Sequence, residues 1–134
     1  VTYLDLGMNQ ITENGFSNMI TALKESRVET LKLPFNQIGD TNLELPFKDT
    51  KISQLCMSSN NLGDKSSKNL VNQAKDSRLT IFDLSLNGIS FAGANALARI
   101  IPNTLLTKVE IGFECSNLPK ALILNTQKYI LGPY

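Results

Sequence analysis

Apolar and polar residues recur along this chain in one fixed order. In LTIFDLSLNGIS, residues 79–90, one apolar residue is followed three places on by a second and two places later by a third. Asparagine comes three places after that, and an aliphatic residue two places beyond it. The slots are Leu79, Phe82, Leu84, Asn87 and Ile89; upstream they read Ile52, Leu55, Met57, Asn60 and Leu62. Before these come Val28, Leu31, Leu33, Asn36 and Ile38, and the chain opens with Val1, Leu4, Leu6, Asn9 and Ile11. The asparagines lie 27, 24 and 27 residues apart. All sixteen apolar slots are apolar and all four asparagine slots hold asparagine. At 42% apolar and roughly 10% asparagine content, chance agreement is on the order of 10^-10, so the pattern is an internal repeat. A fifth copy is decayed: Leu106, Val109 and Ile111 fit, but Glu114 stands in the asparagine slot and Ser116 in the last apolar one.

Alternation through the second and third slots has the period of a strand, and the stretches between motifs have the period of a helix. Met19, Ile20 and Leu23 share one helical face, as do Leu70, Val71 and Ala74, and Leu97, Ile100 and Ile101. Residues able to cap a helix sit where each should begin: Thr12, Asp40, Asp64 and Ser90. Each unit therefore reads strand, turn, helix. Asparagine occupies the point where the strand must bend away. It tolerates a left-handed backbone, and its side chain can bond the main-chain groups the bend leaves unpaired.

The order L-x-x-L-x-L-x-x-N-x-L resembles the leucine-rich repeat, and the resemblance covers most of the chain. With a period of 27 and a full helix per unit, it is similar to the ribonuclease-inhibitor-like subfamily. That resemblance implies an α/β solenoid, a right-handed β-α superhelix with a curved parallel sheet inside and helices outside. It implies one domain over 1–134, with repeats at about 1–27, 28–51, 52–78 and 79–105, then the decayed repeat and a C-terminal cap helix over 106–134. It also implies a structural ladder of asparagines: Asn9, Asn36, Asn60 and Asn87.

Two places depart from the pattern. The second repeat is three residues short and carries Pro46 where its helix should run, which forbids a long helix. A short turn or 3₁₀ segment is expected there, with Leu43, Leu45 or Phe47 filling the space. At the end of the chain, Ser116 or Asn117 reads as an N-cap and Pro119 as a first-turn residue, ahead of an apolar helix closed by Gly132-Pro133. Val1 is already a motif residue, and no Met leads it, so a fragment or processed form is expected, with a cap or further repeats upstream.

If Leu4 and Leu6 point inward, their neighbours point out onto the open face of the sheet. Outward positions are Tyr3, Asp5 and Gly7; Thr30, Lys32 and Pro34; Gln54, Cys56 and Ser58; Ile81, Asp83 and Ser85; and Lys108, Glu110 and Gly112. The direction of the bulky residues just before the ladder, Met8, Phe35, Leu86 and Phe113, is open. A face of this kind suits another protein. The partner-binding candidates are Tyr3, Asp5, Lys32, Gln54, Cys56, Ile81, Asp83, Lys108 and Glu110, with Tyr3 and Ile81 as anchors beside a charge row.

Composition narrows the classes. Net charge is +1 with no run of like charges, which argues against nucleic-acid or membrane-surface binding. The chain has no histidine, removing Ser-His-Asp and Cys-His catalysis and His-ligated zinc. GDKSS, residues 63–67, lacks the spacing of a phosphate loop. Cys56 has no cationic neighbours in sequence to activate it, and Cys115 reads as a small buried residue. No asparagine lies in an N-x-Ser/Thr acceptor, and two distant cysteines do not make a disulfide scaffold; both lean to an intracellular site. No catalytic residue, cofactor, metal or small-molecule substrate is expected. The resemblance implies a protein-interaction module, with composition closest to bacterial effectors injected into host cytosol. Alternatives are a regulator of a small GTPase and the recognition domain of a larger enzyme such as a ubiquitin ligase.

Overall fold

The computed structural model describes residues 1–40, 45–111 and 130–131. Its strands are β1 (Tyr3–Asp5), β2 (Thr30–Lys32), β3 (Gln54–Cys56), β4 (Ile81–Asp83), β5 (Lys108–Glu110) and β6 (Ile130–Leu131). They form one sheet in chain order, every neighbouring pair parallel. Helices α1 (Glu13–Ala22), α2 (Gly63–Gln73) and α3 (Phe91–Ile100) connect strands, as parallel pairing requires. This is an α/β repeat fold.

The register carries the repeat into space. Leu4, Leu31, Leu55, Phe82 and Val109 pair rung to rung. One slot further on, the amides of Leu6, Leu33, Met57 and Leu84 donate to the carbonyls of Lys32, Cys56, Asp83 and Glu110 at 2.7–2.8 Å, so the third slots also stand in neighbouring rungs. From Leu31 to Val109 these inward residues are buried, and they share one core with Phe16, Ile20, Leu70, Val71, Ala94 and Leu97 of the helices. Burying each such side chain contributes roughly 1.5–3 kcal/mol. Leu4 and Leu6, in the first rung, are half-buried and pack against that core from its edge.

A second recurring device closes each unit. Ser26, Thr50, Ser77 and Thr104 each donate a side-chain hydroxyl to the carbonyl three residues back, at 2.6–2.9 Å. Each then accepts from the amide of the next repeat's first apolar slot: Val28, Ile52, Leu79 and Leu106. The hydroxyl thus ends the 3₁₀ turn before it and aims the next strand.

The short second repeat has a 3₁₀ turn at Phe47–Asp49 in place of a helix. Leu45 and Phe47 are buried there, and the Phe47 ring lies 6.3 Å from that of Phe16. Leu43 and the N-terminal part of the expected cap helix lie outside the described residues. Where that helix should end, Ile130 and Leu131 pair with Val109 and Glu110 as a strand, so a helix running to Gly132 is ruled out. β5 would otherwise end the sheet with unpaired main-chain groups, and residues 130–131 pair with Val109 and Glu110 there.

Expected caps also differ. Ser90 caps α3, accepting from the Gly93 amide at 3.2 Å, whereas Thr12 makes no side-chain cap and α2 begins from Leu62 with Asp64 already in its first turn. Asp64 reaches sideways instead, accepting from the amide (2.7 Å) and the hydroxyl of Ser90. Asp40 likewise accepts from buried Ser66 at 2.6 Å. These two carboxylates clasp one repeat to the next.

Candidate interaction face

Pairing of the strands sorts the outward side chains into rows. Tyr3, Thr30, Gln54, Ile81 and Lys108 stand in register, and so do Asp5, Lys32, Cys56, Asp83 and Glu110. All nine sequence-predicted face residues are therefore brought together, and Thr30 joins them. A shallow depression of about 180 Å³ lies on this face, lined by Lys32, Gln54, Cys56, Ile81, Asp83 and Glu110 among others.

Local chemistry holds these side chains in place. The Lys32 ammonium sits 5.4 Å from the centre of the Tyr3 ring, a cation–π distance. Interaction with the Tyr3 hydroxyl raises the Lys32 pKa, so it stays cationic. Asp83 accepts from the amide (2.9 Å) and hydroxyl (2.6 Å) of Ser85. Lys108 pairs with Glu110 at 3.1 Å. These contacts hold Lys32, Asp83, Lys108 and Glu110 in one arrangement.

Cys56 is half-buried, with its sulfur 3.6 Å from the Ser58 hydroxyl and 3.6 Å from the Asp83 carboxylate. Burial, with Asp83 adding to it, pushes the thiol pKa up. A raised pKa keeps the neutral thiol favoured in the fold. The associated stability is complete below the unfolded thiol's pKa and is lost as pH rises through the folded value. Iodoacetamide labelling at pH 7.5, read at Cys56 by mass spectrometry, is expected to run several-fold slower than in the urea-unfolded chain. Asp83→Ser should recover part of that rate, because burial remains. Equal folded and unfolded rates would remove the shift.

Behind this face stands the asparagine ladder. The Asn36 amide group donates to Leu6 O, Leu33 O and Pro34 O at 3.0–3.4 Å, and its oxygen accepts from the Ile11 amide at 3.0 Å. Asn87 donates to Met57 O, Leu84 O and Ser85 O and accepts from the amides of Asn60 and Leu62. Asn60 repeats the donor pattern, but its buried Oδ1 has no hydrogen-bond partner among the described residues. Asn9, exposed at the first rung, bonds its own strand alone, to Leu6 O and Gly7 O.

One expectation about the ladder is corrected. The ladder asparagines themselves are not left-handed; the residue before each is, with Met8, Phe35, Ser59 and Leu86 all at φ of 54–58°, and Asn61 and Gly88 just after Asn60 and Asn87 are left-handed too. The reason is geometric. The asparagine side chain must point back beneath the turn to reach two rungs of carbonyls, so the reversal falls on its predecessor. Those predecessors point out, with Met8 82%, Phe35 58% and Leu86 56% exposed. Phe113 holds the same slot but lies outside the described residues. The sequence held the signal, an apolar residue ahead of the asparagine in three rungs of four, without showing its direction.

Among the described residues, no cluster of three or more His, Cys, Asp or Glu side chains could hold a metal ion. No described helix is long and apolar enough to cross a membrane. The leucine-rich repeat family profile matches residues 1–19 and 77–98. These matches, with the parallel sheet and its helices, support a leucine-rich repeat protein; such repeats are typically non-catalytic and generally mediate protein–protein interaction. Comparison with curated proteins finds no match to the chain.

Proposed function

We propose that this chain is a protein-interaction module that binds a partner protein through the outward face of its sheet and performs no chemistry itself. The observation that carries this reading is the pair of registered rows, where Tyr3, Ile81 and Gln54 stand beside Asp5, Lys32, Asp83 and Glu110 with no described helix over them. Helices are wider than strands, so stacking the units curves the array with the sheet inside. On this reading the chain is a right-handed solenoid and the face is concave. Helices of 10, 11 and 10 residues fit the ribonuclease-inhibitor-like class of repeat. The same reading places the protein in the cytosol, as an effector acting on a host protein, consistent with the free thiol at Cys56.

The test is site-specific photo-crosslinking inside cells. A photoreactive residue at Gln54, on the sheet face, is expected to capture a discrete partner, and one at Lys75, on the helix side, to capture none. Tyr3→Ala, Asp83→Lys and Glu110→Lys combined should abolish the capture while leaving the circular dichroism spectrum intact. Equal capture from both sides, or capture indifferent to the three substitutions, would reject the face.

A further inference from the structure

Three rungs place a large apolar side chain where both folding and solubility disfavour one. Met8, Phe35 and Leu86 are left-handed, at φ of 56–58°, a conformation that glycine or asparagine adopts at far lower cost. They are also among the most exposed apolar residues described. The turn has a left-handed residue in each of the four described rungs; it does not need a bulky apolar one, as Ser59 shows in the third. A repeated choice that is unfavourable on two counts points to a contact made on the outside.

The spacing says what kind of contact. Parallel strands lie about 4.8 Å apart, so Met8 and Phe35 are about 5 Å apart along the ridge and Leu86 about 10 Å beyond Phe35. An α-helix laid across the strands rises about 4.5–6 Å between residues three or four apart, which matches one rung. A partner strand repeats on one face every 6.6–6.8 Å or so and falls out of step after one rung. The gap at Ser59 leaves room for a partner side chain to seat between Phe35 and Leu86. Beside the ridge the Lys108–Glu110 pair cancels and Lys32 is engaged with Tyr3, so Asp5, which lines a depression with Met8 and Phe35, and Asp83 supply the acidic charge.

We propose that Met8, Phe35 and Leu86 form a docking ridge for an amphipathic α-helix of the partner, its apolar seam along the ridge and its basic residues toward Asp5 and Asp83. This rests on the interaction-module reading and specifies the partner's form.

The probe is a 14-residue Leu/Lys peptide with leucines at helical spacing, measured by fluorescence anisotropy against the whole chain. Controls are the same peptide with Glu for Lys and a Leu/Lys peptide of strict alternation. Saturable binding of the first, at least tenfold tighter than either control, is expected. Phe35→Asn with Leu86→Asn should weaken it at least tenfold while leaving the melting temperature unchanged or raised by about 2–4 °C, because asparagine suits the left-handed backbone. Asp83→Lys should also weaken it. No saturable binding up to millimolar peptide, preference for the alternating peptide, or binding indifferent to the two asparagines overturns the ridge. Where the ridge fails but crosslinking from Gln54 still captures a partner, the interaction face stands without it; where both fail, both fall.

Discussion

Asn87→Ala is expected to be the most destabilising single change among the ladder positions, costing about 3–5 kcal/mol in urea unfolding. Its side chain is buried and satisfies five main-chain groups: three carbonyls from two rungs and the amides of Asn60 and Leu62. Alanine leaves those groups buried without their partner, and each orphaned group costs about 1–3 kcal/mol unless water replaces it. The ladder grades its own control. Asn9→Ala, exposed and bonded to its own strand alone, should cost less than about 1 kcal/mol. Asn60→Ala should fall between, because its Oδ1 is already unpartnered. Asn87→Asp supplies a sharper check. It sets a carboxylate against three carbonyls, which raises its folded pKa, so its deficit against wild type should narrow as pH falls toward 4 and be full at pH 7. Equal losses at Asn9 and Asn87 would mean that the ladder is not what holds the turns.

How much of this was legible beforehand depends on what each feature needs. The inward columns needed a period and a phase, and both are in the sequence: Leu31, Leu55, Phe82 and Val109 could be aligned by counting. The outward rows followed from the same count. Direction at a bend does not follow from counting, which is why Met8, Phe35 and Leu86 could be noticed but not aimed, and why the left-handed residue was assigned one place late. Cap chemistry was misread for a related reason. Asp64 has the residue type of an N-cap, but its partner, Ser90, sits 26 residues away in the next unit, and single-unit reasoning cannot see across units. The hydroxyls at Ser26, Thr50, Ser77 and Thr104 were readable, at two places before each unit's first apolar slot; serine and threonine share the role, so the pattern escapes a search for identity.

Phe47→Ala carries the other large effect, about 3–5 kcal/mol, through a mechanism the ladder does not share. In a repeat fold each unit contacts its neighbours, and global stability comes from the interfaces between units. The second repeat has no described helix to make its interface, and its buried aromatic stands in, 1% exposed and tilted against Phe16 of α1. Leu45 closes the same gap from just ahead of Pro46 and the 3₁₀ turn that follows it. Removing the ring opens a cavity that backbone fixed by strand pairing on both sides cannot collapse to fill, so the cost should sit at the large end for an aromatic. It should also uncouple the two halves. The first rung and α1 would lose their hold on the β3–β5 block, and unfolding should divide into two transitions. Hydrogen exchange is the measurement: amides of Leu6 and Ile20 should exchange well before those of Met57 and Leu84 in the variant, and together with them in wild type. A single cooperative loss in Phe47→Ala would show that the sheet alone couples the units and that the plug only fills space.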